Sequence, residues 1–192
     1  PDFAVVRVAS GDQRLAVTLV TPQTKPPEDL EPVTAMALRQ FVAAQSTVAD
    51  VPLALALRRI GSVAYSGDPA AIRANARALI AQALTWHAPE DLTLVLCIGA
   101  RQLPDWEWAK WAPHAHSGTE SDALGPARYI VPSTAAAEQM LGESLTGRAR
   151  FGAAGSSGAP NHILIVLDGA QTAPESQLTG GLIDGVTVLD LQ

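Results

Sequence analysis

A single cysteine in 192 residues leaves nothing for it to pair with. Small secreted scaffolds lean on several disulfides, so that class is excluded and a reducing compartment fits. Cys97 lies inside the apolar run Leu94-Val95-Leu96-Cys97-Ile98, where a thiol packs as a small buried hydrophobe. Positive charge is also scarce: 13 Lys and Arg stand against 19 Asp and Glu, a net charge of −6. With no basic surplus to displace counterions from phosphates, no nucleic-acid partner is expected. No apolar run approaches the roughly 18 residues that mark a bilayer span, and no signal peptide is visible. No Ser/His/Asp or Cys/His arrangement stands out, so covalent catalysis has no support. The chain opens on Pro1-Asp2-Phe3 without a methionine, which reads as an excised piece of something longer.

What is present is apolar material. Hydrophobic residues make up 47% of the chain, enough for one good core, so 1–192 is expected to be a single domain. Within it, 1–50 reads as an N-terminal hairpin, a Pro-rich loop and a helix, and 51–192 as an α/β core. The β-rich runs Phe3–Val8 and Leu15–Val20 are joined by Ser10-Gly11-Asp12-Gln13, a hairpin signal. Thr21–Pro32 is a proline-rich loop, Pro32 suits a first helical turn, and Val33–Gln45 has helical spacing. Further on, strands are expected at Leu53–Leu57, Ser62–Tyr65, Leu92–Ile98, Arg128–Val131, His162–Leu167 and Val186–Leu191. Helices are expected at Ala70–Thr85 and Thr134–Leu145, and Gly152–Pro160 is a small-residue loop. Strand and helix in alternation imply right-handed βαβ units, hence a three-layer α/β fold with a mainly parallel sheet.

One stretch raises a chemical question. Tyr65-Ser66-Gly67-Asp68-Pro69 ends a β-rich run and opens a helix, the place where a nucleotide-binding α/β protein keeps its phosphate loop. Laid over G-x-x-x-x-G-K-[ST], only Gly67 matches. Ile72 stands at the second Gly, Arg73 at the Lys and Ala74 at the Ser/Thr. Asp68 is a good N-cap and Pro69 a good N1 residue, so a carboxylate sits where phosphate would dock. Arg73 alone could serve as a phosphate-binding cation, with Arg77 one turn later on the same face; both also read as solvated helix residues or partner contacts. A second signal is Ile163-Leu164-Ile165-Val166-Leu167-Asp168-Gly169, five apolar residues delivering a carboxylate at a strand's carboxyl end, as a Mg²⁺-bound nucleotide requires. An ordinary buried strand ending at a turn-capping Asp would read the same. Gly169 stands where many ATPases carry a catalytic Glu. Gly67, Asp68, Arg73 and Asp168 are therefore the candidate nucleotide-binding residues.

Asp105-Trp106-Glu107-Trp108-Ala109-Lys110-Trp111 holds three of the four tryptophans. Trp108 and Trp111 can share a helical face while Trp106 points elsewhere; one or two pack on the sheet edge and another is exposed as an anchor, so Trp106, Trp108 and Trp111 are the candidate partner-docking residues. His114 and His116 lack a third ligand at sensible spacing, so no metal is expected. His87 follows the helix over Ala70–Thr85 and reads as its cap.

Seven motifs in order carry a resemblance that covers most of the chain. They are Leu53-Ala54-Leu55-Ala56-Leu57-Arg58-Arg59, Ser66-Gly67-Asp68-Pro69, Trp86-His87-Ala88-Pro89-Glu90-Asp91-Leu92, Trp106-x-Trp108-x-Lys110-Trp111-x-Pro113-His114, Gly125-Pro126-Ala127-Arg128, Ile165-Val166-Leu167-Asp168-Gly169 and Gly185-Val186-Thr187-Val188-Leu189-Asp190. Together they resemble the membrane-proximal cytoplasmic domain of the EccC family. These are FtsK/SpoIIIE-type ATPases of the ESX (type VII) secretion systems of mycobacteria and other actinobacteria. The resemblance implies a RecA/FtsK-like P-loop fold and a protein-export motor component at the cytoplasmic face of the plasma membrane. It also implies a membrane link only through transmembrane helices outside this stretch. The implied partners are other ESX subunits, notably the ubiquitin-like domains of EccD, and three ATPase modules further along the same chain. Ile72, Arg73 and Ala74 depart from the phosphate loop, so motor activity does not carry over. The expectation is a degenerate coupling module, inactive or very weak as an ATPase alone. The alternative is an atypical ATPase binding Mg-ATP through Arg73 and Asp168.

Overall fold

The computed structural model describes residues 3–20, 31–150, 152, 161–180 and 183–192. They divide into two compact units, Arg7–Ala54 and a larger one made of Pro1–Val6 with Leu55–Gln192.

A two-stranded ribbon of β1 (Val5–Arg14) and β2 (Thr47–Ala56), most of whose residues fall in the smaller unit, has α1 (Pro32–Gln45) between its strands in sequence. The Leu15 N–H donates to the Ser46 carbonyl and the Leu57 N–H to the Ala4 carbonyl, so the strands run antiparallel. An antiparallel N-terminal ribbon was expected; its strands are not Phe3–Val8 and Leu15–Val20. The chain runs extended through Ser10–Gln13, because Gly11 is a packing residue: a Cβ there would stand 3.2 Å from the Leu53 side chain across the ribbon. The strand expected at Leu53–Leu57 is the end of β2 and belongs to this ribbon, not to the parallel sheet. Helix α1 starts where the Glu31 carboxylate accepts from the Thr34 N–H at 2.7 Å and from its hydroxyl at 2.6 Å, with Pro32 in the first turn. It buries no residue. The Pro-rich loop falls largely at 21–30, outside the described residues, and so does Gly152–Pro160 apart from Gly152.

The larger unit continues with β3 (Ser62–Ala64), α2 (Pro69–Trp86), β4 (Leu92–Ile98) and α3 (Leu103–Trp106), which runs on as 3₁₀ turns to Ala115. A β5–β6 hairpin (His116–Asp122, Gly125–Arg128) leads to β7 (Ile130–Val131), α4 (Thr134–Leu141), β8 (His162–Asp168), α5 (Gln177–Gly180) and β9 (Val186–Asp190). Strands β3-β9-β8-β4-β7 form one sheet in that order, parallel throughout. The fold is the expected three-layer α/β arrangement with a parallel sheet. Helix α4 is shorter than its apolar pattern implied, since Gly142 (φ 38°) ends it and a 3₁₀ turn follows.

Every residue of β8 is buried, and nearly all of β4, as continuous apolar strands covered on both faces should be. One face carries Val95, Cys97, Ile163, Ile165 and Val188 against Ala137 and Leu141 of α4. The opposite face carries Leu94, Leu96, Leu164, Val166 and Leu189, all fully buried. Alternation puts Asp168 on this second face, and α2 reaches it there through Arg73. Burying one such Leu or Ile side chain contributes about 1.5–3 kcal/mol. Cys97, in the middle of this core, has its thiol pushed up to about 12, chiefly by burial.

Candidate functional site

The carboxyl ends of β8 and β4 and the start of α2 meet at one place, and the charged groups there engage one another. Asp68 has extended backbone and accepts the Ala71 N–H at 2.9 Å; Pro69 follows as the first helical residue, so α2 begins as the sequence implied. Gly67 turns at φ 136°, a conformation that favours glycine. One turn into α2, Arg73 points to the end of β8. Its Nε donates to Asp168 Oδ2 at 2.6 Å and its Nη2 to Oδ1 at 3.0 Å, a bidentate pair. The Arg73 Nη1 also stands 3.6 Å from the Asp105 carboxylate on α3.

Asp168 is 2% exposed, and Oδ2 takes a further bond from the indole N–H of Trp106 at 2.9 Å. Both carboxylate oxygens are therefore engaged by this chain's own donors. The hydrogen bond with Asp168 raises the Arg73 pKa, against a smaller lowering by burial. Arg77 continues the seam, with its Nη1 3.4 Å from the Asp105 carbonyl. Sequence reasoning placed Arg73 and Asp168 at the same site but as separate ligands of a nucleotide. It missed that they bind each other.

The backbone beneath them is tight. The Gly99 N–H donates to the Asp168 carbonyl at 2.8 Å, and a Cβ on Gly99 would fall 2.1 Å from the Gly169 carbonyl oxygen. Gly169 itself has φ 65°, and a Cβ there would meet the Gln102 side chain at 2.6–2.9 Å. A side chain at Gly169 would need Gln102 to move aside and would be strained by the positive φ. Gly99, directly after an apolar strand, was the available signal for this close approach, and Gln102 gave none.

Mg-ATP, the ligand of the alternative reading, does not fit these residues as they stand. Arg73 and Asp168, the cation and carboxylate such a ligand would need, are bonded to each other. Asp68 adds negative charge at the helix start, and Ala74 supplies no hydroxyl for a metal.

The tryptophans separate by burial. Trp106 is 0% exposed and bonded to Asp168, so of the three expected docking residues it offers no surface to a partner. Trp108 lies 6.3 Å from it ring to ring and is half-buried, its indole N–H without a partner among the described residues. Trp111 is 77% exposed, with the Lys110 ammonium 5.7 Å from its ring centre. The histidines are structural in their contacts. His87 caps α2, its Nδ1 donating to the Ala83 carbonyl while Nε2 accepts the Ala4 N–H. His114 and His116 bond the carbonyls of His87 and Lys110 through Nε2.

No family model matches the chain. Individual proteins do. Over 190 residues, 99% of the chain, it is 45% identical to an ESX secretion system protein EccC of Thermomonospora curvata. It is 34% identical over the same share to the ESX-4 secretion system protein EccC4 of Mycobacterium tuberculosis, and 35% identical to the ESX-5 protein EccC5 of Mycobacterium marinum. In each case the match spans 14% of the relative's length. Among the described residues no helix is long and apolar enough to cross a membrane. Near-complete coverage of this chain by one region of several such proteins identifies it as a domain of the EccC proteins of ESX secretion systems.

Proposed function

We propose that this chain is a degenerate ATPase-like module of a type VII (ESX) protein-secretion motor, coupling the membrane complex to downstream ATPase domains. The observation that carries the reading is the Arg73–Asp168 pair: the two groups best suited to a Mg-nucleotide hold each other in a bidentate bond. The lost phosphate-loop residues at Ile72 and Ala74 and the crowded Gly169 point the same way. A domain that neither binds nor hydrolyses nucleotide can still serve as a rigid body between neighbours. The partners we propose are other ESX subunits, among them the ubiquitin-like domains of EccD, and the ATPase modules of the same longer protein, at the cytoplasmic face of the plasma membrane. Trp111 suits such a contact, because an exposed indole contributes large area at low entropic cost.

The test is calorimetric titration of the 192-residue chain with Mg-ATP and Mg-ADP to millimolar concentration, with thermal unfolding in parallel. The expected result is no heat of binding and no shift in Tm, since a ligand that does not bind the folded state cannot stabilise it. Saturable binding that is lost in Arg73→Ala or Asp168→Ala would overturn the reading in favour of an atypical ATPase.

A further inference from the structure

Arg73 does more than block a site. Its guanidinium touches carboxylates from two separate elements, Asp168 at the end of β8 and Asp105 on α3, and Asp168 in turn takes the indole N–H of Trp106, also on α3. Three elements are thereby joined through one planar cation. We propose that Asp168, Asp105 and Trp106 form a guanidinium-binding site permanently filled in cis by Arg73. Filling this site holds the tryptophan segment 103–111 against the sheet. The inference rests on reading the site as closed to nucleotide.

Three observations support a built site. Asp168 is almost wholly buried, so its charge requires a cation and cannot be left to water. The contact is bidentate and planar, a geometry an ammonium or a metal aquo ion does not reproduce. The third donor is Trp106, itself fully buried, so carboxylate, indole and guanidinium fix one another's orientation. The segment so held is short, four helical residues followed by 3₁₀ turns, with little intrinsic stability of its own. It carries Trp111 to the surface. Arg73 and Asp168 are in this sense positioning residues for the exposed tryptophan.

Hydrogen exchange on the Arg73→Ala form of the 192-residue chain tests this, read at the amides of Leu103, Asp105 and Ala112 and at the Trp106 indole N–H. Exchange at these sites should rise at least tenfold while the amides of β4 and β8 hold their protection. Guanidinium chloride at about 10 mM, far below the molar range that unfolds proteins, should restore protection where potassium chloride at equal ionic strength does not. Unchanged exchange at 103–112, or a guanidinium effect no larger than that of potassium, overturns the proposal. If Arg73→Ala fails to fold, Asp168→Asn removes the charge and keeps the shape and an oxygen for Trp106. It should loosen the same amides without any response to guanidinium, and unchanged exchange there refutes the latch. Nucleotide titration of the unaltered chain decides the closed-site reading separately, so failure of one is distinguishable from failure of the other.

Discussion

The parallel sheet holds a guanidinium at each of its two ends, in opposite surroundings. At the carboxyl end Arg73 lies against a buried carboxylate and its pKa is raised. At the amino end Arg148 donates Nη1 to the carbonyls of Asn161, Asp184 and Gly185 and Nη2 to Asn161 Oδ1 at 2.7 Å, and burial lowers its pKa. Asn161 passes the link to Thr93, and next to it the buried His162 bonds the Thr187 hydroxyl at 3.1 Å. One end balances a full charge with a full charge. The other bonds its cation to carbonyl and amide oxygens, with the Asp184 charge acting only from nearby, and keeps a histidine in the interior. Polar burial at the two ends of one sheet therefore has different weaknesses: loss of a partner at the carboxyl end, gain of a proton at the amino end.

The sharpest way to break the contrast is to remove each arginine. Arg73→Ala leaves the Asp168 charge buried with only Trp106, and urea unfolding should show a loss of about 3 kcal/mol. Arg148→Ala frees neutral carbonyls beside a half-buried surface that water can reach, and should cost about 1 kcal/mol. Equal losses would erase the distinction.

Acid probes the amino end. Burial, with the nearby Arg58, Arg148 and His87, pushes the His162 imidazole down to about 4 from an ordinary value near 6.5. In that window the unfolded chain holds the extra proton, so stability is fully present above about pH 6.5 and falls as pH drops towards 4. From pH 7.5 to 5 the loss should be about 2 kcal/mol, followed by denaturant midpoints across the series. His162→Gln should flatten that slope, and a slope unchanged by the substitution would place the acid sensitivity elsewhere.

Gly169→Ala is a smaller perturbation at the carboxyl end. The positive φ and the Gln102 side chain at 2.6 Å together should cost about 1–2 kcal/mol in thermal unfolding. Pairing it with Gln102→Ala should recover part of that loss, because the obstruction is a side chain. Smallest of all in stability is Trp111→Ala, expected within about 0.5 kcal/mol for an exposed position. Its effect belongs instead in co-purification with other ESX subunits, which the substitution should weaken. Normal assembly would leave Trp111 as a surface residue of no consequence.

Much of the larger unit was legible because its signals are local. The apolar run 92–98 is β4 to the residue, and Asp68-Pro69 marks the start of α2 because N-cap and N1 preferences act within one turn. Legibility failed in the N-terminal stretch, where Ser10-Gly11-Asp12-Gln13 resembles a turn and is strand. The partner of β1 lies more than thirty residues away at β2, and a local pattern carries no information about which distant strand will pair. The tryptophans failed for a related reason. Helical spacing assigns Trp108 and Trp111 a shared face, yet the segment is mostly 3₁₀, and burial divided the three rings.

The candidate site shows where that boundary falls. By itself the sequence determined that 67–74 matches the phosphate-loop pattern only at Gly67, and that Asp168 would stand at the end of a buried strand. These are statements about residue identity and periodicity, and they need no contact between distant parts. Only the tertiary structure decided that Arg73 and Asp168, 95 positions apart, face each other at 2.6 Å, with Trp106 of α3 bonded to the same carboxylate. A buried carboxylate must find a cation. Which one it finds depends on how α2, β8 and α3 converge, and that is settled by packing rather than by any stretch of the chain read alone.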